Sequence, residues 1–230
     1  NSYGGSRMSR LITNAVRHTS ASADALTLDA SGNITVEGNL TVDGTSTLTG
    51  AVTSDSGSWV KLSQVTNGGN VANITFDSLD TSTYRAFKFI GGMQPVSDNT
   101  ELRILFRQGG SDLTTVKYDY GYIVTYPDDG HNVDSNNDNN RITMMGNGGN
   151  QSREGWAFEL LFFPHVDGHA SQIGNFVTWH GFRIDGSHDF RTQTGVGYYD
   201  VDDQYPNGFK LYPETGNFAY HNYTLYGIKA

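Results

Sequence analysis

Apolar and polar residues alternate strictly in the segment that follows the first 25 residues. From Leu26 to Val52, every Leu, Ile and Val occupies an even-numbered position, namely Leu26, Leu28, Ile34, Val36, Leu40, Val42, Leu48 and Val52. Glycines recur with a period of six, at Gly32, Gly38, Gly44 and Gly50. A period of two predicts β-strands whose apolar side chains share one face. The register is well specified, because a shift by one residue would invert the two faces.

This repeat is too short to form a stable structure by itself. A monomeric solenoid needs several stacked coils, whereas four six-residue repeats complete little more than one coil. Since the apolar face has to be covered, we expect three chains to intertwine around a shared axis through residues 26–57. The alternative is a pair of hairpins at the edge of the main domain.

Residues 58–230 show many short strand patterns separated by turn sequences. Leu102, Ile104 and Phe106 occupy every second position in one of them, and Asp185-Gly186 is one of the turn signals. No long helical pattern lies between the strands. The predicted fold of this region is an antiparallel, jelly-roll-like β-sandwich.

The first 25 residues contain one helical pattern. Apolar residues recur at helical spacing at Met8, Leu11, Ile12, Ala15 and Val16. They predict a short amphipathic helix over Arg7–His18, which needs a packing partner because helices of this length are marginal alone. A frayed terminus is the alternative. The chain as a whole is therefore predicted to be all-β apart from this helix, with an attachment segment (1–25), a stem (26–57) and a head (58–230).

Composition and charge narrow the classes of function. The chain has 13 Tyr, 12 Phe and 3 Trp, enough aromatic residues to fill a sandwich core. Its net charge is −9 and its Lys and Arg residues form no cluster, which excludes nucleic acid as a partner. It has no cysteine, so stability has to come from packing or oligomerisation. No apolar run is long enough for a membrane span, and no membrane insertion is expected.

The repeat segment resembles a known family. The run from Ser31 to Gly50, with its Gly-Asn-Leu-Thr-Val unit, resembles the neck repeats of bacteriophage tail-fibre and related virion fibre proteins, which are common in phages of marine bacteria. Met8–Asn14 and Ser20–Leu28 are similar to the openings of such proteins, and Leu225–Lys229 is similar to the last strand of their head domains. The resemblance is strongest in the N-terminal part. The chain lacks the His-x-His pattern with which some fibre tips bind metal.

Membership of this family would imply a homotrimer on the virion surface, as a tail or capsid fibre. It would also imply attachment to other virion proteins through the N-terminal segment. The head would recognise a glycan or a protein on the host surface.

Aromatic residues of the head are the candidates for glycan binding, because sugars stack on aromatic rings while amide and backbone groups bind their hydroxyls. The candidate stacking residues are Tyr126, His131, Trp179 and Tyr205. Segments 126–140 and 146–152 would present the polar groups at one end of the sandwich. Ordinary packing is the alternative role for each aromatic residue.

Two groups of residues are candidate metal ligands. Asp134, Asn136 and Asp138 alternate in a polar segment predicted to be a loop, and oxygen ligands of this kind suit calcium. The match to a calcium-binding loop ends at Asn139, where that motif needs glycine. Four histidines, His165, His169, His180 and His188, are the candidates for a transition metal. A polar surface loop and solvent-exposed histidines are the alternatives, and no other cofactor is predicted.

The sequence thus predicts a non-enzymatic, trimeric fibre protein that attaches a virus particle to its host. No nucleophile elbow, phosphate-binding loop or metalloprotease motif occurs. One alternative is a capsid-decorating or adaptor fibre that has no host ligand. Others are a glycan depolymerase, which would need a pair of carboxylates in a groove, and a monomeric carbohydrate-binding module.

Overall fold

The computed structural model describes residues 15–16, 26–28, 30, 34–36, 59–127, 130–164, 174–201 and 204–229. The chain divides into two compact units, residues 1–52 and residues 53–230. All regular elements of the described part are β-strands, and every strand pair is antiparallel. The all-β prediction is confirmed for these residues. Within them, no helix has the length and apolar character needed to cross a bilayer.

The described part of the first unit is a three-stranded sheet. Its strands are β1 (Ala15–Val16), β2 (Leu26–Leu28) and β3 (Ile34–Val36), in the order β1-β2-β3. The register pairs Leu26 with Val36 and Leu28 with Ile34. The even-numbered positions of the first repeats therefore lie opposite one another. Ile34 is 61% exposed, which leaves apolar surface open on this sheet.

The N-terminal helix prediction differs from the structure where the two overlap. Ala15 and Val16 are strand residues that pair with Thr27 and Leu26. In the strand, the backbone forms its hydrogen bonds with β2. A short isolated helix would have to form them within itself, which is only marginally stable. The rest of the predicted helix, and the repeats after Val36, lie outside the described residues.

The second unit is a sandwich of two sheets. The larger sheet has eight strands in the order β10 (Gly130–Asn139), β9 (Tyr118–Tyr126), β14 (Phe190–Tyr199), β13 (Phe176–Ile184), β12 (Gly155–Phe163), β6 (Tyr84–Pro95), β16 (Phe218–Lys229) and β4 (Trp59–Gly68). The smaller sheet consists of β11 (Ile142–Gly148), β7 (Thr100–Gln108), β15 (Gly208–Pro213) and β5 (Ile74–Phe76), with β8 (Ser111–Asp112) paired to β7.

The β-sandwich prediction is confirmed for the described residues, and its jelly-roll type stays a prediction. Strands β12, β13 and β14 are consecutive in the chain and adjacent in one sheet. Before and after these three strands the chain crosses between the two sheets, from β11 to β12 and from β14 to β15.

Aromatic side chains fill the space between the two sheets. The ring of Phe162, on β12, is fully buried and lies with its centroid 5.2 Å from that of Phe106 and 5.5 Å from that of Phe209. Phe106 and Phe209 belong to the smaller sheet, so this cluster joins the two layers. Because side chains alternate along a strand, the inward position of Phe162 turns Leu161 and Phe163 to the other face of the larger sheet.

The glycine-rich segment 146–152, a predicted source of ligand-binding groups, has a packing role. A Cβ atom at Gly148 would lie 2.5 Å from the Trp156 ring. The indole nitrogen of Trp156 donates a hydrogen bond to the carbonyl of Gly146 at 2.9 Å. Glycine is needed here because buried side chains press against the backbone.

Tyr118 links the larger sheet to the smaller one through its hydroxyl group. The hydroxyl accepts a hydrogen bond from the Phe106 amide at 3.0 Å and donates one to the Leu113 carbonyl at 2.8 Å. Tyr118 is fully buried, and this burial raises the pKa of its hydroxyl above the ordinary value of about 10.

We expect the stability of the head to fall in alkaline solution, partly through Tyr118. Above about pH 10 the unfolded chain loses the phenolic proton while the folded protein keeps it, so the free energy of unfolding declines by about 1.4 kcal/mol per pH unit from this residue. Below about pH 10 both states keep the proton and the contribution is constant. Urea unfolding at about pH 8 and above pH 10 measures the decline. Tyr118→Phe should lower stability by about 1–3 kcal/mol at about pH 8, because it leaves the Phe106 amide unbonded. An equally steep alkaline decline in Tyr118→Phe would contradict this account.

Candidate ligand-binding face

One row of directly paired residues crosses the whole eight-stranded sheet on its open face. The row takes one residue from each strand, in the spatial order Val133, Ile123, Thr194, His180, Glu159, Ile90, Thr224 and Gln64. All of them except Thr224 are exposed. Their neighbours along the strands, such as Trp179 and Leu160, belong to the core. The face that points away from the smaller sheet is therefore a continuous, solvent-facing surface.

Two depressions lie along this row. The first has a volume of about 560 Å³ and is bordered by residues of β10, β9, β14, β13 and β12. The second has a volume of about 790 Å³ and extends from β14 to β4. Glu159 and His180 border both depressions, which therefore meet near the middle of the sheet. Both volumes lie in the range of roughly 300–1,000 Å³ that is usual for small-molecule sites.

Polar side chains meet where the depressions join. The Nδ1 atom of His180 lies 2.6 Å from the Thr194 hydroxyl oxygen. The Glu159 carboxylate forms an ion pair with Lys88, with 2.7 Å between Oε2 and Nζ. Lys88 in turn lies 5.2 Å from the centroid of the Trp59 ring. Glu159 and His180 remain exposed, so this fixed arrangement presents hydrogen-bonding groups to solvent.

Small residues form the floor of the face, and larger apolar residues rise beside them. Gly121 lies in the first depression, and Gly92 and Ala157 lie in the second. A Cβ atom at Gly121 would have its nearest neighbour 3.6 Å away, so packing does not demand glycine there. Phe182 borders the second depression and is 42% exposed. An exposed aromatic ring beside a shallow floor suits a flat, partly apolar ligand such as a sugar ring.

The open face carries little net charge, because Glu159 is paired with Lys88 and Asp134 shares the other face of its strand with Tyr122. The described residues that line the two depressions include Glu159 and Asp134 but no Lys or Arg. Asp134 is already engaged, since Oδ2 accepts a hydrogen bond from the Tyr122 hydroxyl at 2.8 Å and Oδ1 accepts one from the Ser135 amide at 2.8 Å. Burial, and then the hydrogen bond to Asp134, raise the pKa of Tyr122. Tyr122 thus stays protonated and remains the donor in this contact.

The four predicted stacking residues do not come together. Trp179 borders the first depression, but its ring is 2% exposed and belongs to the core. Tyr126 is half-buried, with the Arg191 guanidinium 4.9 Å from its ring centroid. The Tyr205 amide donates a hydrogen bond to Gln108 at 3.2 Å. His131 is exposed on β10 and shares the open face with Val133, at the edge of the sheet.

The predicted calcium ligands lie on a strand and not in a loop. Asp134, Asn136 and Asp138 belong to β10, where Asp134 and Asn136 are about 6.6 Å apart along the strand. Asp138 follows them in a β-bulge and has a φ of 52°. Asp138 contacts the ammonium of Lys117 at 3.3 Å. The strand therefore spaces Asp134 and Asn136 apart, whereas a calcium loop curls its oxygen ligands around one ion. The segment is a strand because pairing with β9 satisfies its backbone, even though its polar sequence has no apolar face.

The predicted histidine set is dispersed in the described part of the chain. His180 lies on the open face, and His188 approaches the buried Glu154 carboxylate at 3.3 Å. His165 and His169 lie outside the described residues. Over the parts of the chain that the structure describes, no three His, Asp or Glu side chains converge as metal ligands would.

Glu159 and Phe182 were not among the predicted site residues, and His180 was predicted only as a metal ligand. A usable signal lies in β13, where large or aromatic residues occur on both faces: Val177 and Trp179 on one, and Phe176 and Phe182 on the other. One face of such a strand packs in the core. A large apolar residue on the other face is then exposed to solvent or available to a ligand.

Comparison with known proteins identifies no relative: no family model, no curated protein and no solved structure matches the chain.

Proposed function

We propose that this protein is a trimeric fibre of a bacteriophage virion and that its head attaches the particle to a glycan on the host surface. The six-residue repeats support the fibre part of the proposal, because their apolar face needs partner chains. The N-terminal segment joins the fibre to other virion proteins. Adhesion and not catalysis is the proposed activity.

The open face of the eight-stranded sheet carries the adhesive part of the proposal. Its two depressions meet at Glu159 and His180, beside an exposed aromatic ring at Phe182. Hydroxyl and amide groups of Thr192, Thr224 and Asn222 surround the second depression and supply further donors and acceptors. Sugar rings offer hydroxyls around their edge and C–H groups on their faces, and this face complements both.

Trimerisation would increase the strength of attachment. Three heads on one stem bind a repetitive host surface with a high effective concentration after the first contact. Each single site therefore needs only modest affinity.

We expect Phe182→Ala to weaken glycan binding by about tenfold to a hundredfold, the effect of losing contact with an aromatic side chain worth about 1.5–3 kcal/mol. The full-length chain is first screened on an array of host and reference glycans, and the affinity for the best glycan is then measured by calorimetry. His180→Ala should weaken binding by about tenfold through a lost hydrogen bond.

Val116→Ala is the matched control, because Val116 is 55% exposed and borders neither depression. Binding that is unchanged in both Phe182→Ala and His180→Ala would place the glycan elsewhere. Release of new reducing ends during the assay would replace adhesion by depolymerisation as the activity.

A further inference from the structure

We propose that the open face binds an internal stretch of a linear, uncharged polysaccharide, which lies across the strands and occupies both depressions at once. This inference rests on the proposed function and specifies its ligand. The alternative to an internal stretch of a glycan is a single terminal sugar that binds in one depression.

The continuity of the face favours a chain over a single sugar. The paired row from Val133 to Gln64 passes through all eight strands, and both depressions follow it. Seven inter-strand steps of about 4.8 Å give a path of roughly 34 Å. Glu159 and His180 border both depressions and therefore lie where one gives way to the other. A ligand that fills both has to be elongated and has to pass over these two residues.

The charges of the open face favour an uncharged ligand over a polyanion. No Lys or Arg lines either depression in the described part of the chain, and the nearby Lys88 is neutralised by Glu159 at 2.7 Å. The chain as a whole carries a net charge of −9. A polyanion would therefore find no unpaired cation among the described lining residues and would meet repulsion on approach.

Apolar contacts are available in both halves of the face. Ile123, Val133 and Val196 border the first depression and are about half exposed. Ile90 and Phe182 border the second. Each half thus combines an apolar wall with hydroxyl-bearing threonines, which is the surface that successive sugar units of one chain require.

The same features make another protein chain a poor occupant. The centre of a protein interface is depleted of charged residues, whereas the centre of this face holds the Glu159–Lys88 ion pair. The Glu159 side chain is 47% exposed and stays accessible to hydroxyl groups. A hydroxyl-rich ligand can hydrogen-bond with this carboxylate without having to bury it.

The test uses the full-length chain and neutral oligosaccharides of glucan and mannan, from the disaccharide up to the polymer. We expect affinity for the preferred series to rise at least a hundredfold with length and then to level off once both depressions are occupied. Two blocking variants separate the halves of the face. Thr178→Trp fills the first depression and Thr192→Trp fills the second, and Thr75→Trp, at the exposed position of β5, is the control.

Each blocking variant alone should reduce the affinity for the long oligosaccharide to that of a short one, while thermal unfolding shows that the fold is kept. A disaccharide that binds as tightly as the polymer would overturn the inference, as would loss of binding in only one blocking variant. Tighter binding of polygalacturonate than of any neutral polymer would overturn it too. In these three cases glycan adhesion itself would stand. Failure to bind any glycan of the array would overturn the proposed function as well.

Discussion

Replacing Ile34 by Asp in the full-length chain is expected to convert a trimer into monomers. Ile34 belongs to the apolar positions of the first unit and is 61% exposed in the single chain. If three chains cover this surface, the substitution removes about 1.5–3 kcal/mol of burial free energy from each chain. The loss for the trimer is then about 4.5–9 kcal/mol. The association constant should fall by roughly a thousandfold to a millionfold. Light scattering at several protein concentrations measures the mass directly.

Thr35→Asp is the matched control for this experiment. Thr35 follows Ile34, is paired with Thr27 and occupies the opposite face of the same strand. It should leave the trimer intact. A wild-type chain that is monomeric at all concentrations would remove the fibre proposal and leave an isolated binding module. A trimer that survives Ile34→Asp would place the contacts between chains elsewhere.

Phe162→Ala is expected to lower the free energy of unfolding of the head by about 3–5 kcal/mol, because it removes a fully buried ring and leaves a cavity. The ring contacts Phe106 and Phe209 of the opposite sheet, so the loss loosens the attachment of one layer to the other. For a domain of this size, the melting temperature should fall by roughly 6–20 °C. Calorimetry or denaturation followed by aromatic fluorescence measures the change.

The adjacent residue provides the comparison. Phe163 is half-buried on the other face and stacks on Phe176, with ring centroids 4.4 Å apart. Phe163→Ala should cost about 0.5–1.5 kcal/mol, the value of an aromatic pair at a partly exposed site. Equal destabilisation by the two substitutions would contradict the assignment of the inner and outer faces of β12.

The sequence was sufficient to predict which residues of a strand share a face. Leu102, Ile104 and Phe106 alternate in the sequence and are all fully buried in the structure. The pairing of Leu26 with Val36 likewise follows the even-numbered positions of the repeats. These features are local, because the two-residue period of a strand fixes the faces whatever the strand pairs with.

One polar segment was predicted to be a loop, but the structure shows it as a paired strand at the edge of the sheet. Asp134, Asn136 and Asp138 have the composition of a loop, yet they lie on an edge strand of the larger sheet. The backbone hydrogen bonds to β9 form regardless of side-chain polarity, and one face of an edge strand can remain in solvent. Composition therefore carried little information about this segment.

The candidate ligand-binding face itself was decided only by the tertiary structure. Alternation separates Trp179 from His180, but which of the two faces the core depends on where the smaller sheet packs. Glu159, His180 and Ile90 become neighbours because β12 pairs with both β13 and β6 in one particular register. Contacts between strands that are distant in the chain depend on which strands pair and how they are aligned. A two-residue period specifies the faces of each strand and contains no information about its partners, so the sequence determined the strands and the fold determined the face they form.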